Sequence, residues 1–339
     1  MIRRIIPLLM ACVLLTGCAQ TDTDSSASKT VFAMDTIMTL TVYDGARADA
    51  LRAAETELTR LDALLDRAAA GSAVYSLNAN GTVRSEELSA LLSTAAEIAR
   101  ESDGAFDPTI APVLALWGFG SGNVYRVPGQ EELAAALDTV GMERVTISGA
   151  EITLPEHAQI DLGGIAKGYA GERVRAIFAA HGVTSATIDL GGDVCLLGNR
   201  PDGSPWRVAI RDPADRDRYL GVLAARDCFI VTSGVYERFF MDNGVCYHHI
   251  IDPATGCPAA SGLVSVSVVC ADGAWADALS TAVSVLGIQD ALALRERLRQ
   301  SVPFEFIALT SDGRVCYTDG VAGTFTPDGE SGYVYEPLC

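Results

Sequence analysis

The chain has 339 residues, of which 49% are hydrophobic and 20% charged, so it is long and apolar enough to bury a full core. Its formal net charge of −18 at pH 7 argues against a nucleic-acid-binding protein, because such a protein needs a basic surface to replace counterions. If the ligand carries phosphate, its charge must therefore be met locally, by a lysine, by main-chain amides or by a metal ion.

The first residues have the composition of an export signal. Two arginines precede a short apolar run that ends in Leu15-Thr16-Gly17-Cys18. The run is too short to span a membrane, and its end resembles a bacterial lipobox, with lipid attached to Cys18. Residues 1–17 are therefore predicted to be a signal peptide, and residues 18–30 a lipidated cysteine with a flexible polar tether. The alternative is a buried helix. The preferred interpretation is an exported protein, anchored to the extracytoplasmic face of the cell membrane.

Hydrophobic periodicity predicts the first elements of the domain. Thr36–Tyr43 alternates as a strand, and Ala46–Asp66 carries leucines at helical spacing. Ser72–Asn78 is predicted to be a loop or short turn, and Ser85 is predicted to cap a helix that ends near Arg100.

The next stretch differs in character. The prolines, aromatic residues and glycines of Gly104–Gly122 are typical of a pocket wall, and equally of a packed core. A short helix is predicted over Glu131–Leu137 and a hairpin over Val145–Leu154.

Ile160–Arg173 is the stretch with the strongest suggestion of ligand binding. Asp161 closes an apolar run, two glycines follow, and Lys167 lies just inside a predicted helix. Glycines at a strand-to-helix turn let the backbone approach a ligand, and a helix start with a lysine suits phosphate. The alternative is an ordinary turn that caps an amphipathic helix. Because the chain has no GxxxxGK[ST] or GxGxxG pattern, neither a P-loop nor a dinucleotide-binding fold accounts for the glycines.

The same five letters, IDLGG, recur in Ala186–Leu197, where Asp189 precedes two glycines and Asp193 follows them. The repeat suggests a duplicated or pseudo-symmetric arrangement. The rest of the chain is a mixture of strand and helix patterns with prominent hairpins, which predicts an α+β fold in one compact unit. The predicted strands are Val208–Arg211, Leu220–Ala224, Phe229–Thr232, Leu263–Val269, Phe304–Leu309 and Val315–Thr318, and the predicted helices are Asp272–Leu286 and Gln289–Arg299.

Asp277 and Thr281 are candidate metal ligands. Their i, i+4 spacing places a carboxylate and a hydroxyl side by side on one helical turn. With a free main-chain carbonyl they offer the hard oxygen ligands that suit Mg²⁺. The alternative is that Asp277 is an ordinary acid near the N-terminus of a helix, where the helix dipole stabilises it, and that Thr281 bonds the carbonyl four residues before it.

His249 is a candidate general base, because it ends an apolar strand just before an Asp-Pro turn. A half-buried histidine bonded to a carbonyl is the alternative. The adjacent His248 points to the opposite face, so only one of the two can serve in catalysis. His157 and His181 lie in polar, turn-like surroundings and are predicted at the surface.

Eight short segments, taken together, match one family. In their order along the chain they resemble the FAD:protein FMN transferases, the ApbE-type flavin transferases of bacterial envelopes. The segments are MDTIM from Met34, GAFDPT from Gly104 with LWGFG from Leu116, DLGGIAKGYA from Asp161, DLGGD from Asp189, TSG from Thr232, HIIDPxTG from His249 and DALSTA from Asp277.

The resemblance implies a fold and an activity. The fold is α+β, with mainly antiparallel sheets, flanking helices and two related halves, and residues 31–339 form the flavin transferase domain. The activity is Mg²⁺-dependent transfer of FMN from FAD to a threonine hydroxyl of an acceptor protein, with release of AMP. The acceptor is expected to be a subunit of an ion-pumping redox complex or another envelope flavoprotein. The alternatives are a Mg²⁺-dependent FAD pyrophosphatase and a non-catalytic FAD-binding lipoprotein.

The resemblance also implies roles for individual residues. His249 matches the position of the base, and the metal ligands are Asp277, Thr281 and the main-chain oxygen of Gly164. The residues implied to line the FAD site are Met34, Ala105, Phe106, Asp107, Asp161, Lys167 and Ile251.

Two positions depart from the family pattern. Many relatives carry an aromatic residue against the flavin at the position of Ala68, so Tyr75 or Phe106 would have to supply the stacking ring. Some relatives have an additional carboxylate at the position of Ser280, which suggests a weaker metal site here.

Overall fold

The structure is a computed structural model that describes residues 26–120, 124–215 and 217–338. The predictions of a signal peptide and of lipid on Cys18 lie outside these residues. Within them the chain forms seven α-helices. These are α1 (Arg47–Leu65), α2 (Ala73–Asn80), α3 (Glu86–Glu101), α4 (Ala111–Trp117), α5 (Gln130–Leu137), α6 (Ala166–Ala180) and α7 (Gly273–Leu298).

The strands of the described ranges belong to four sheets. They are β1 (Ala27–Ala33), β2 (Thr36–Val42), β3 (Thr82–Arg84), β4 (Thr146–Ser148), β5 (Glu151–Thr153), β6 (Ala186–Asp189), β7 (Val194–Leu197), β8 (Trp206–Arg211), β9 (Tyr219–Ala225), β10 (Phe229–Gly234), β11 (Phe239–Asp242), β12 (Val245–His248), β13 (Leu263–Cys270), β14 (Phe304–Thr310), β15 (Arg314–Thr318), β16 (Phe325–Pro327) and β17 (Val334–Leu338).

A nine-stranded sheet in the order β1-β2-β6-β7-β10-β13-β14-β15-β17 runs through the centre. Its neighbouring strands are antiparallel, except for the parallel pair β15 and β17. The predicted α+β class with mainly antiparallel sheets is confirmed.

Alternation along the central strands divides the core into two layers. On β14, Phe306 packs into the large core that α1, α3, α6 and α7 share with one face of the sheet, whereas Ile307 packs into a second core. On β10, Val231 and Ile230 divide in the same way. The second core lies under the small sheet β16-β9-β8, so each strand face is covered by a different layer.

The helix α7 is interrupted at Gly287, whose φ of 75° and ψ of 177° are not helical. The prediction of two helices, Asp272–Leu286 and Gln289–Arg299, is therefore correct in substance. By length and composition α7 is able to cross a membrane, but 56% of its apolar stretch is buried in the protein. Burial of this kind is typical of a core helix, and α7 packs on α6 and β13.

Two element predictions are wrong. Ser72–Asn78 is not a loop: Ser72 Oγ accepts the amide of Tyr75 at 2.9 Å and caps α2, which Gly81 ends with φ 73°. The tether also ends earlier than predicted, because Ala27–Thr30 already pairs with β2. Its polar composition is compatible with an edge strand, since alternate side chains there face solvent.

Candidate functional site

A cleft of about 740 Å³ opens beside the central sheet. Its size is ordinary for a pocket that binds a cofactor-sized ligand. The structure brings every residue that the sequence suggested for the site into the lining of this one cleft, and their individual roles stay predictions. The residues are Met34, Ala105, Phe106, Asp107, Asp161, Gly164, Lys167, His249, Ile251, Asp277 and Thr281.

Lys167 lies between two buried carboxylates. At the start of α6, its Nζ is 2.5 Å from Asp193 Oδ2 and 3.7 Å from Asp277 Oδ1. Burial alone lowers the pKa of Lys167, but the two carboxylates outweigh it and raise this pKa above its usual range. The ammonium group is therefore a fixed positive charge on the cleft wall.

Asp277 is held from two sides. Its Oδ2 accepts the amide of Gly168 at 3.0 Å, and Lys167 lies against its other oxygen. Burial raises the pKa of the Asp277 carboxyl, Lys167 opposes this, and Asp193 adds to it. The group is therefore a strong candidate for a cation ligand, because a nearby positive ion would favour its charged form.

Thr281 lies one helical turn beyond Asp277. A Cβ built on Gly164 would be 3.1 Å from Thr281 Oγ1, so this glycine brings its backbone close to the hydroxyl. Among the residues that the structure describes, Thr281 Oγ1 makes no hydrogen bond, and it is Ser280 that donates to the Asp277 carbonyl at 2.7 Å. The alternative role for Thr281, a bond to that carbonyl, is not observed. A carboxylate and a hydroxyl that has no hydrogen bond within the described residues, beside the backbone of Gly164, fit Mg²⁺.

His249 is fixed by the backbone at the cleft mouth. Its Nδ1 is 3.2 Å from the carbonyl oxygen of Arg238, which also accepts the His249 amide at 3.1 Å. Burial and the charge of Arg238 lower the pKa of His249 to about 4. If Nδ1 carries the proton and donates to that carbonyl, Nε2 keeps a lone pair in neutral solution.

His248 points away from the cleft, as the strand alternation predicted. Its Nε2 lies 3.2 Å from the carbonyl of Ala259, and burial lowers its pKa. Of the two adjacent histidines, the structure leaves His249 as the candidate base.

Both IDLGG segments line the cleft with short turns. Asp161 Oδ1 accepts the amide of Gly163 at 2.7 Å, and Asp189 Oδ1 accepts the amide of Gly192 at 2.8 Å. The two segments continue differently, since α6 follows the first and β7 the second. The other carboxylate oxygen of Asp161 pairs with Arg67 at 2.6 Å, which holds the first turn against the end of α1.

The hairpin of β1 and β2 also reaches the cleft. Met34 and Asp35, which form its turn, have φ values of 51° and 58°. Left-handed conformations are costly for such residues and are often found at functional sites. The Met34 amide donates to Asp62 Oδ1 at 2.8 Å, which pins the turn to α1.

The loop that carries Phe106 forms the opposite wall. The Phe106 ring would be 3.4 Å from a Cβ on Gly164, so it packs directly on the first glycine turn. The Asp107 carboxylate accepts three hydrogen bonds: from the amide and the hydroxyl of Thr109, at 2.8 and 2.5 Å, and from the amide of Met142 at 3.0 Å. Burial nevertheless raises the pKa of Asp107. Its carboxylate holds this loop in place.

The two departures from the family pattern have clear positions. Phe106 lines the cleft, whereas Tyr75 and Ala68 are not among its described lining residues, so Phe106 is the better placed ring. Ser280 is fully buried and lies 2.7 Å from Ser233 Oγ. At this position the hydroxyl ties α7 to β10.

Several lining residues were not assigned from the sequence. Asp193 had a signal, because it ends the second glycine motif, but its partner Lys167 is distant in sequence. Arg211 and Arg238 reach the cleft from β8 and from the start of the β11–β12 hairpin, and no local pattern marks them.

The comparisons with known proteins agree with one another. The model of the ApbE family matches residues 34–305. An FAD:protein FMN transferase of Treponema pallidum is 36% identical over 271 residues, which are 74% of each chain. The crystal structure of the ApbE protein of Thermotoga maritima has a TM-score of 0.81 at 31% identity and covers 87% of this chain and 98% of that one. Flavin transferase ApbE of Vibrio cholerae has a TM-score of 0.78 at 27% identity and covers 88% of this chain and 99% of that one.

Proposed function

The chain belongs to the ApbE family, as its motifs predicted, and on this basis we propose that it is an FAD:protein FMN transferase. The observation that carries the proposal is the meeting of His249, Lys167 and Asp277 in one cleft with both glycine turns. A base, a fixed cation and backbone amides beside a cofactor-sized space are the groups that phosphoryl-type transfer requires.

In the proposed reaction, FAD lies with its pyrophosphate beside the first glycine turn. His249 Nε2 accepts the proton of an acceptor threonine hydroxyl while that oxygen attacks the FMN phosphorus. The new phosphoester bond forms as the bond between this phosphorus and the AMP oxygen breaks, and AMP leaves. Lys167 stabilises the negative charge on the phosphates, because Asp193 and Asp277 hold its ammonium group in place.

The reaction is proposed to depend on Mg²⁺. Asp277, Thr281 and the main-chain oxygen of Gly164 would hold the ion. Within the described residues Thr281 Oγ1 makes no hydrogen bond, which supports its choice as a ligand. The bound ion would supply charge neutralisation for the pyrophosphate and the departing AMP. The chain's own contribution is to fix the three oxygens, through the packing of α7 against the first glycine turn.

We further propose that the protein acts outside the cytoplasm. The short apolar run before Cys18 supports export and lipid anchoring there, and the acceptor would then be an envelope flavoprotein, such as a subunit of an ion-pumping redox complex.

Product analysis tests the function. The chain from Thr21 onward is mixed with FAD, Mg²⁺ and a purified flavoprotein subunit of an ion-pumping redox complex. Intact mass of the acceptor and an assay for AMP are then read together. The expected result is an acceptor heavier by one FMN, with AMP in equal amount, and both products absent after the metal is chelated. AMP with free FMN and an unchanged acceptor would instead favour a pyrophosphatase, and bound FAD without AMP would favour a non-catalytic FAD-binding protein.

A substitution of His249 tests whether it is the base. His249→Gln replaces the imidazole by a polar side chain that has no basic nitrogen, so it is expected to lower AMP release and acceptor labelling together. A variant that labelled the acceptor at the normal rate would contradict the role of His249 as the base for threonine.

A further inference from the structure

Arg238 is the cross-strand neighbour of His249. In the register of β11 and β12, Phe239 pairs with His248, and the register continues by one pair because the His249 amide donates to the Arg238 carbonyl at 3.1 Å. Directly opposite side chains of an antiparallel pair lie on the same face, with Cβ atoms about 4.5–5.5 Å apart. Side chains also alternate along a strand, so Arg238 and His249 share the face opposite to that of His248. Both residues line the cleft.

The Arg238 guanidinium has no counterion in the described part of the chain. Its side chain makes neither a hydrogen bond nor an ion pair there, and the adjacent Glu237, which also lines the cleft, does not pair with it. The groups that it faces are basic. After burial, the charge of Arg238 is the main cause of the lowered pKa of His249, and it also opposes the carboxylates that raise the pKa of Lys167. Two cations in one cleft repel each other, and an anion bound between Arg238 and Lys167 is stabilised by both.

The proposed reaction brings a phosphorus atom to this face. The threonine oxygen must lie within hydrogen-bond distance of His249 Nε2 and about 3–3.5 Å from the phosphorus that it attacks. The FMN phosphorus then lies within about 6–7 Å of Nε2. An arginine that shares the face of His249 is in range of the nonbridging oxygens of such a group. Its planar guanidinium binds two phosphate oxygens at once, which the single ammonium group of a lysine does not do.

We propose that Arg238 is a further catalytic residue, whose guanidinium binds the nonbridging oxygens of the FMN phosphoryl group. As the bond from the threonine oxygen to phosphorus forms and the bond from phosphorus to the AMP oxygen breaks, His249 takes the threonine proton. Arg238 exchanges no proton, because a guanidinium stays charged, and it stabilises the negative charge on the nonbridging oxygens. This inference rests on the proposed function and adds to it the group that holds the phosphate of the FMN half of FAD.

Binding of product fragments tests the inference without the reaction. Dissociation constants for FMN, riboflavin and AMP are measured by calorimetry with Mg²⁺ present, for the unaltered chain, Arg238→Met and Arg207→Met. Arg238→Met is expected to weaken FMN binding about tenfold or more and to leave riboflavin binding unchanged, because riboflavin has no phosphate. Arg207→Met is the matched control. Arg207 is an exposed residue of β8 that is not among the described lining residues, so its loss removes the same charge away from the cleft.

Each pattern of binding has one meaning. Normal FMN binding by Arg238→Met would overturn the phosphoryl contact, and an equal loss for FMN and riboflavin would assign the effect to flavin packing and overturn it too. Weaker AMP binding with normal FMN binding would place the guanidinium on the leaving group, against the proposal. An equal loss of FMN binding in Arg207→Met would reduce the effect to net charge. No binding of either flavin by the unaltered chain would contradict the proposed function itself.

Transfer kinetics give a second readout. Arg238→Met is expected to lower kcat about 10²–10³-fold at saturating FAD and acceptor, because the phosphoryl oxygens lose a donor as their charge builds. Arg238→Lys keeps the charge and loses the planar fork, so it is expected to recover only part of this loss. Full activity of Arg238→Met would overturn the proposal. FMN binding that depends on Arg238, in a chain that transfers no FMN, would support the phosphoryl contact and contradict the proposed function.

The His249 ring reports whether the guanidinium lies beside it. In an NMR titration of Arg238→Met, the pKa of His249 is expected to rise from about 4 toward its ordinary value of about 6.5, since burial remains and the charges that still face the ring are those of His248 and Lys167. Arg238→Lys is expected to titrate close to the unaltered chain. An unchanged titration in Arg238→Met would place the guanidinium away from the imidazole and overturn the proposal.

Discussion

Gly168 at the start of α6 and Gly273 at the start of α7 touch through their backbones. A Cβ built on Gly168 would lie 1.9 Å from the carbonyl oxygen of Gly273, a distance that no side chain can tolerate. The same contact lets the Gly168 amide reach Asp277 and sets Lys167 beside that carboxylate. The crossing of two glycines thus fixes the distance between the candidate charged groups of the cleft.

Gly168→Ala is therefore expected to destabilise the protein by about 1–3 kcal/mol, because backbone atoms must move to admit the methyl group. Transfer activity is expected to fall with it, since Lys167 and Asp277 separate. Urea unfolding measures the stability change. Gly323→Ala is the control, because a Cβ there meets no atom within 4 Å, and it is expected to stay within about 0.5 kcal/mol of the unaltered chain. Equal stability of the two variants would contradict the close contact.

Removing the charge of Lys167 tests the pairing of the lysine with the buried carboxylates. Lys167→Met leaves Asp193 and Asp277 without their cation and is expected to cost about 1.5–3 kcal/mol of unfolding free energy. Asp193→Asn is made alone and in combination with it. Because the two groups are 2.5 Å apart, the double variant is expected to lose less than the sum of the single losses. Additive losses in urea unfolding would show that the ion pair contributes no coupling energy.

Local patterns in the sequence were sufficient for most of the fold. Alternation identified β2, and a β-prone run identified β13. The leucine spacing of α1 and the cap at Ser85 identified helices. The pattern failed at α2, an eight-residue helix that is too short to show more than one apolar pair at helical spacing, Val74 and Leu77, and is held by the Ser72 cap and by packing on α1. Short elements of this kind depend on tertiary contacts, which periodicity does not contain.

The cleft shows the same limit. Motif segments placed the predicted residues together, but they did not reveal that Asp193 is the nearest partner of Lys167, or that Arg67 holds Asp161. These pairs join elements far apart in sequence, so only the folded chain brings them into contact. The hydrogen bonds that the Asp107 carboxylate accepts could not be predicted either, because its donors Thr109 and Met142 approach from the same loop and from a separate 3-10 turn.

Thr281→Val tests the metal ligands. The substitution keeps the shape of the side chain and removes the hydroxyl that lies near Gly164, so the Mg²⁺ concentration for half-maximal transfer is expected to rise about tenfold or more. Thr281→Ser keeps the hydroxyl and is expected to stay near the unaltered value. A normal Mg²⁺ requirement in Thr281→Val would exclude the hydroxyl as a ligand.

The pH dependence of transfer tests the protonation state of His249. Burial and Arg238 lower its pKa to about 4, below the ordinary histidine value of about 6.5. The base is therefore unprotonated at neutral pH, and its contribution to transfer is expected to persist to about pH 5 and to disappear only as the pH falls through about 4. Folding responds with the same sign: between the two pKa values the unfolded chain binds the extra proton, so His249 contributes stability above pH 6.5 that is lost toward pH 4.

NMR titration of the His249 ring separates this group from the carboxylates that titrate in the same range. The ring resonances of the folded protein are expected to shift near pH 4, and the corresponding signals should be absent in His249→Gln. The same variant is expected to lose about 10²–10⁴-fold in transfer rate at pH 7, where the unaltered base is fully available. A ring that titrates near pH 6.5 would show that the imidazole is solvated in solution, and the acid limb of the transfer rate would then move upward with it.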